Sequence, residues 1–423
     1  MSRAMKDSGV EWIGEIPEDW DVKRLKHVAK IQTGNTPTKT DEQYYSTNGI
    51  DWIKSDNLLG TKGISESKEK LSTEGEKTAR IAAPYSTLVC CIGTVGKIGY
   101  TIKPVAYNQQ INAVTFNSAN VYWKYGMYHL SVQQEQQQYF QNGNVLKILN
   151  TDNQKKVSLP VPPLSEQQKI ADFLDEKAVH IDSLVSQTKE SIEAFKAYKQ
   201  ALITETVTKG LNPDVKMKDS GIEWIGEIPE HWDAWKLKQL FEIKKIIAGK
   251  LGYDILSITQ NGLKIKDISS NEGQISADYS KYQIVDIGDF AMNHMDLLTG
   301  WVDCATFSGV TSPDYRVFKS RNLQTVYNDY YKYVFQMCYS NKIFYGLGQG
   351  VSNLGRWRLP TNNFLNFGIP HPHMNEQQQI AEFLDDKTAH IDALIADKEK
   401  MVKELQKYKK SLIYEYVTGK KEV

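Results

Sequence analysis

Residues 5–21 read MKDSGVEWIGEIPEDWD and residues 217–233 read MKDSGIEWIGEIPEHWD, so one phrase is written twice, 212 positions apart, with changes only at Val10/Ile222 and Asp19/His231. A second pair, SEQQKIADFLDEKAVHIDSL from Ser165 and NEQQQIAEFLDDKTAHIDAL from Asn375, lies 210 apart and matches at 13 of 20 positions. A third, Tyr198 to Thr208 and Tyr408 to Thr418, keeps the 210 offset. Internal repetition on this scale dictates architecture before any local pattern does. The order is short element, long block, long shared element, and then the same again. The blocks at 22–160 and 234–370 have little in common, so one framework presents two different surfaces.

The shared elements read as helices. Pro160, Pro162 and Pro163 end the first block, and Ser165 with Gln168 then has the form of a capping box, a signal for a helix start. Asn375 and Gln378 repeat it after Pro370 and Pro372. Leu174, Ile181, Thr188, Phe195 and Leu202 recur every seven residues, with Lys177, Leu184, Ser191 and Tyr198 three later. The second copy runs Leu384, Ile391, Lys398, Leu405 and Leu412, with Lys387, Leu394, Met401 and Tyr408. Both read as a and d columns of a heptad seam. Gly210 and Gly419 stand where each helix should stop. Each helix is then about 44 residues, or roughly 65 Å. Either each packs on its own block, or the two pair antiparallel with a block at each end. The second arrangement gives a repeated chain a pseudo-twofold, with polar Lys177, Thr188, Ser191, Lys387 and Lys398 fixing register.

The expected fold is α+β: two globular mixed α/β domains joined by two long helices in an antiparallel coiled coil. Its segments are 1–21, a repeat segment; 22–160, the first domain; 161–210, the first helix; 211–233, a linker; 234–370, the second domain; and 371–423, the second helix and tail.

With 51 basic and 51 acidic residues the chain is neutral overall, which fails the simplest test for a nucleic-acid binder. The charge is nevertheless partitioned. Block 22–160 holds 17 Lys/Arg against 10 Asp/Glu, and block 234–370 holds 15 against 11. The shared elements are therefore acidic and the blocks basic, as contact with phosphates requires. No apolar run reaches the roughly 18 residues of a membrane span, and the start MSRAMKDSG lacks a signal peptide's apolar core. A cytoplasmic chain without membrane contact is expected. Cys90, Cys91, Cys304 and Cys338 lack metal-ligand spacing and read as small core residues.

The doubled architecture, the two phrases SEQQKIADFLD and NEQQQIAEFLD after a Pro-rich exit, and several shorter phrases resemble the specificity subunits of type I restriction-modification systems. The shorter phrases are Gly34-Asn-Thr-Pro37, Gly93-Thr-Val-Gly-Lys97, Asn108-Gln-Gln-Ile-Asn112 and Leu146-Lys-Ile-Leu-Asn150. The second block keeps mainly Gly348-Gln-Gly350 and Phe367-Gly-Ile-Pro370. The resemblance implies that each block is a target recognition domain reading half of a bipartite site in double-stranded DNA. Base edges in the major groove would supply specificity and phosphates would supply position. Half-sites about one helical turn apart would keep both domains on one face of the duplex. It also implies two methyltransferase subunits docked on the helices and using S-adenosylmethionine, with restriction/translocase subunits using ATP and Mg2+ in the full complex, and no cofactor on this chain.

Candidate DNA-contacting residues are Thr36, Lys54, Lys97, Asn108, Gln109, Gln110 and Lys147 in the first block, and Gln349, Ser352, Asn353, Arg356 and Arg358 in the second. Asn and Gln suit adenine edges and Arg forks onto guanine, but Asn108, Gln109, Gln110 and Asn112 equally suit buried backbone. Gly93 to Gly99 lacks the spacing of a nucleotide-binding loop, leaving a turn between strands or a phosphate contact. The tract Leu58 to Lys77 is either a DNA-facing loop or solvated surface. Seam candidates are Leu174, Ile181, Leu184, Phe195, Leu202, Leu384, Ile391, Leu394, Leu405 and Leu412. Trp12 and Trp224 either anchor their segments or plug into a partner. His180 with Asp182, and His390 with Asp392, lie beside the seam as polar contacts or solvated face. No methyltransferase NPPY or DPPY motif, Walker A loop or HExxH occurs, so catalysis is expected from partners. A scaffold whose duplicated blocks bind proteins is the alternative from another class.

Overall fold

Two strands close each block at its root. Asp21–Arg24 pairs antiparallel with Ser158–Val161, setting Asp21 opposite Val161, and Asp233–Lys236 pairs the same way with Gly368–His371. Each variable block therefore enters and leaves through adjacent strands. The computed structural model describes residues 3–38, 41–142, 147–267, 278–350 and 357–423. It divides into two units, one made of Met1–Lys189 with Lys400–Val423 and the other of Glu190–Glu399.

In the first unit a four-stranded antiparallel sheet has the order Ile98–Tyr100, Thr87–Cys90, Ile111–Phe116, Ala29–Thr33. A second sheet orders Tyr45–Ser46, Lys70–Leu71, Ile50–Ile53, Val105–Tyr107 and Ile81–Ala82. Helix Trp123–Ser131 buries Tyr125, Met127, Tyr128 and Leu130. The second unit repeats the four-stranded sheet as Val302–Cys304, Phe290–Met292, Arg316–Ser320 and Phe241–Lys244, with helix Asn328–Ser340 against its core. The tract Leu58 to Lys77 is ordered in part as Gly60–Lys62, Lys70–Leu71 and the helix Thr73–Thr78.

The long helices run Leu164–Lys209 and Met374–Val417. Their starts correct the capping-box expectation. The amides of Glu166 and Gln167 both donate to the Pro163 carbonyl, so Ser165 lies inside the first turn and is not the cap. Glu376 and Gln377 donate likewise to His373. The neighbouring glutamine carries the structural role instead. Gln167 is fully buried, accepts from the Tyr122 amide at 2.8 Å, and donates to the carbonyls of Asn120 at 3.0 Å and Pro162 at 2.8 Å. Gln377 makes the same three bonds, to Tyr327, Thr325 and Pro372, at 2.8, 3.0 and 2.8 Å. Gly210 and Gly419 end the helices at φ +77° and +70°, the left-handed stop that glycine adopts without steric cost.

Each unit pairs the helices antiparallel. In the first, Phe173 meets Tyr416 at 4.6 Å between ring centroids and Lys409 donates to Asp182 at 2.7 Å. In the second, Lys398 lies over the Phe195 ring and Lys199 donates to Asp392. Residue numbers fall on one helix as they rise on the other. His180 and His390 point to solvent, while Asp182 and Asp392 hold lysines of the opposite helix.

The seam needs a correction of one column. Leu174, Ile181, Leu384, Ile391 and Leu412 are buried and Phe195, Leu202, Leu394 and Leu405 half-buried, but Leu184 is 37% exposed and Tyr198 and Tyr408 57% exposed. The second buried column stands four residues after the first, at Ala178, Val185, Ile192, Thr388 and Val402. Spacings of three and four both follow one helix face, and the covered side went to the residues four after the first column. Leu174→Ala is expected to cost about 2–5 kcal/mol, and Leu184→Ala less than about 0.5 kcal/mol. Thermal unfolding of the two variants distinguishes the columns, and equal losses would restore the original one.

Candidate nucleic-acid interface

In the first unit the four short phrases converge at the ends of strands. Gly34 donates to the Ile111 carbonyl at 2.9 Å and Asn35 to Tyr107 at 3.1 Å, tying the first phrase to the third. Asn108 donates to Ile53 at 3.0 Å, Cys91 to Gln110 at 2.7 Å and Leu149 to Cys91 at 2.9 Å. Those bonds bring in Lys54, the Gly93 turn and Lys147. Gly34 is glycine for a steric reason: a Cβ there would lie 2.3 Å from the carbonyl oxygens of both Tyr107 and Asn108.

Within this cluster the candidates differ in availability. Gln109 and Lys147 are exposed, and Thr36 donates to the Gln109 side chain. Asn108 is buried and bonds Gln110, both by its side-chain amide and by accepting from the Gln110 backbone, at 3.1 Å each. Asn112 is fully buried and donates to the Leu149 carbonyl and to Gln154. These two hold backbone together. Lys97 donates to the Ser55 carbonyl at 3.0 Å, and Lys54 pairs with Glu69 beside the Trp52 ring. Gly93 and Gly96, both at φ +84°, form the turn of a hairpin between Thr87–Cys90 and Ile98–Tyr100.

Sequence reasoning missed Arg80. Its amide donates to the Asn35 side chain at 2.7 Å and its guanidinium to the Thr33 carbonyl at 2.6 Å, which places an exposed cation beside the first phrase. No local pattern marks it, since the strand pairing alone brings it there.

In the second unit Gln349 and Arg358 are exposed and exchange backbone bonds at 2.8 and 3.1 Å. Ser352, Asn353 and Arg356 lie outside the described residues. Trp357 is anchored rather than presented: its indole donates to the Tyr345 carbonyl at 2.7 Å and stacks on the Tyr345 ring. Its bulk accounts for the Gly348-Gln-Gly350 phrase. A Cβ at Gly348 or Gly350 would come within 2.3 or 2.2 Å of the indole.

The tryptophans offered as partner plugs are used internally. Trp224 stacks on Phe367 at 5.3 Å and donates to the Gly368 carbonyl at 3.0 Å. Trp12 meets His129 edge-on at 5.7 Å, and its carbonyl accepts from Tyr414. The Trp224 indole is thus both stacked and hydrogen-bonded within the chain, whereas Trp12 is held by its backbone carbonyl and an edge contact of its ring. Cys90, Cys91 and Cys338 are buried free thiols, with burial pushing each up from the usual range. Among the described residues no helix is long and apolar enough to cross a membrane, and no group of His, Cys, Asp and Glu could hold a metal ion.

The sequence matches the family described as type I restriction modification DNA specificity domain over residues 17–194 and again over 229–404. The specificity subunit of the type I restriction enzyme MjaVIII from Methanocaldococcus jannaschii is 25% identical, covering 96% of this chain and 93% of the relative. A chain from a structure of type I R-M complex assembly and conformational transition superposes with a TM-score of 0.70 at 12% identity, covering 95% of this chain and 98% of that one. The HsdS subunit from Thermoanaerobacter tengcongensis gives 0.50 at 13% identity over 96% and 98%. At those identities the structures speak for the fold.

Gly34→Ala is expected to destabilise the first unit by about 1–3 kcal/mol through the carbonyl clash, lowering its unfolding midpoint by roughly 2–4 °C per kcal/mol. Gln109→Ala, at an exposed position, should leave it unchanged. A Gly34→Ala protein that melts like the parent would show that the cluster does not need the close approach.

Proposed function

The chain belongs to the family of type I restriction-modification DNA specificity subunits, and from that membership we propose that its two blocks read the two halves of a bipartite double-stranded DNA site. The observation that carries this reading is the repeated root. Matching strand clasps and glutamine bonds present two blocks whose exposed tips differ. A shared frame with unlike tips suits two readers of unlike sequence. In the first unit Gln109, Lys147 and Arg80 are among the side chains exposed at the cluster. Gln109 suits a base edge and the two cations suit phosphates. In the second unit Gln349 and Arg358 take those parts. The framework is acidic and the blocks basic, so the duplex is drawn to the blocks.

The chain itself performs no chemistry in this reading; methylation comes from two docked methyltransferase subunits using S-adenosylmethionine, and cleavage from restriction/translocase subunits using ATP and Mg2+. The exposed column on the long helices offers the methyltransferases a surface. Leu184 and Tyr198 on one helix recur as Leu394 and Tyr408 on the other at the same 210-residue spacing, and the two tyrosines are exposed. Exposed aromatics are frequent anchors of interfaces. Tyr198→Ala with Tyr408→Ala should leave the melting of the isolated chain unchanged and weaken co-purification of the methyltransferase, by about 30-fold if the pair anchors it. Undiminished co-purification would place the docking surface elsewhere.

The decisive experiment is co-expression with the neighbouring methyltransferase and a map of the bases that become methylated. A bipartite motif with a fixed gap, one half of which changes when 22–160 is exchanged for another block, is the expected result. Methylation of a single unsplit motif, or none with an active partner, would overturn it in favour of a protein-binding scaffold.

A further inference from the structure

The two units build one backbone junction with different side chains. In the first, Leu149 donates to the Cys91 carbonyl at 2.9 Å, and its own carbonyl accepts from Asn112 at 3.1 Å. In the second, Leu359 donates to the His294 carbonyl at 2.9 Å, and its carbonyl accepts from Arg316 at 3.0 Å. Strand register gives the same equivalence, with Asn112 opposite Val89 and Arg316 opposite Met292, each two residues before Cys91 and His294. The residue preceding each leucine, Ile148 or Arg358, closes the same bridge, to Asn142 or Gln349. A neutral trio of Cys91, Asn112 and Ile148 is thus replaced in the second unit by His294, Arg316 and Arg358.

The replacement leaves charge uncompensated. Arg316 is 4% exposed, bonded to the Leu359 carbonyl and Thr361 and lying over the Phe364 ring, yet its Nη1 has no hydrogen-bond partner. His294 is 6% exposed and its Nδ1 is likewise without one. Among the described residues neither Arg316 nor Arg358 has an ion-pair partner. Asn112, at the equivalent place, is satisfied by Gln154. A buried guanidinium without a carboxylate is costly, and the carbonyl bond does not require one, since the first unit makes it with an amide. Burial, with the nearby Arg358 adding to it, pulls Arg316 down to about 10, and burial, Arg316 and Arg358 together pull His294 down to about 3. The junction is therefore a locally positive point.

We infer that this junction is an anion subsite of the second unit, in which exposed Arg358 contacts a phosphodiester of the DNA backbone and buried Arg316 is a positioning residue that supplies charge from beneath. The inference rests on the DNA-reading function proposed above and adds a division within it: at the bridge position the second unit presents a cation, Arg358, where the first has Ile148. A guanine edge would also accept from Arg358, but it is neutral and leaves the buried charge uncompensated.

The test is DNA binding by the full chain assembled with its methyltransferase, measured against salt concentration on the methylated target duplex and on a scrambled one. Arg358→Gln should weaken both by the same factor and make the slope of log affinity against log salt shallower by about one. Between about 50 and about 200 mM salt the affinity loss then shrinks roughly 3.5-fold. Ile148→Gln at the equivalent place should leave the slope unchanged. Arg316→Lys, which keeps the charge, should keep the parental slope, while Arg316→Gln should flatten it; if that variant does not fold, the Arg358→Gln slope carries the test. An unaltered slope in Arg358→Gln overturns the inference, as does a loss confined to the target duplex with a changed methylated motif, which marks a base contact. A parental complex with no affinity for DNA overturns the function on which it rests.

Discussion

A single buried amide at the head of each long helix joins three parts of the protein. Gln167 and Gln377 each close bonds to the proline just after the exit strand, to the loop before the domain helix and to the amide of the residue that precedes that helix. A buried side-chain amide must satisfy both its oxygen and its nitrogen, and these do so only when block and helix meet in one orientation. Loss of either partner leaves polar atoms stranded, so the contact is geometrically selective as well as stabilising. Beside it, Trp20 donates to Glu166 at 3.1 Å and Trp232 to Glu376 at 2.8 Å, fixing the repeat segments to the same first turn.

Each unit is completed by the far end of the other copy's helix. Tyr125 donates to the carbonyls of Pro160 and Val417 at 2.9 Å, and Tyr330 donates to the carbonyl of Val207 at 2.9 Å. Glycines that stop the helices sit against the same tryptophans that bond the glutamates. A Cβ on Gly419 would lie 2.3 Å from Pro17 and one on Gly210 3.1 Å from Trp232. The repeat segment, the block and two helix ends thus form one closed circuit in each half of the chain. This explains why 5–21 and 217–233 vary so little while the blocks between the repeats differ.

Repetition made the architecture legible, because identical phrases at near-equal offsets impose two equivalent environments. Helix length followed from apolar spacing and terminal glycines, and the antiparallel direction from the alternation of block and helix. The second buried column was not legible, since Leu184 and Val185 are both apolar and one residue apart, and only the packed neighbours decide between them. The capping box failed for a similar reason. Ser165 and Gln168 have suitable chemistry, but the Pro163 carbonyl starts the helix earlier. At the tips the sequence located phrases and could not rank them: Asn108 and Gln109 are adjacent and alike, yet one is buried and one exposed. The trio of His294, Arg316 and Arg358 was out of reach, because strand register assembles it from three separated segments.

The paired root strands mean that each block begins and ends at neighbouring points. The chain leaving Arg24 returns at Ser158, directly opposite, whatever path it takes between them. Loop-closure cost grows only slowly with length, so insertions or deletions beyond the root, outside the Asn120 to Tyr125 segment that bonds the helices, place little strain on them. Evolution can then change what one block recognises without rebuilding the frame that holds it. New vocabulary arises in the blocks while the grammar of attachment stays in the frame.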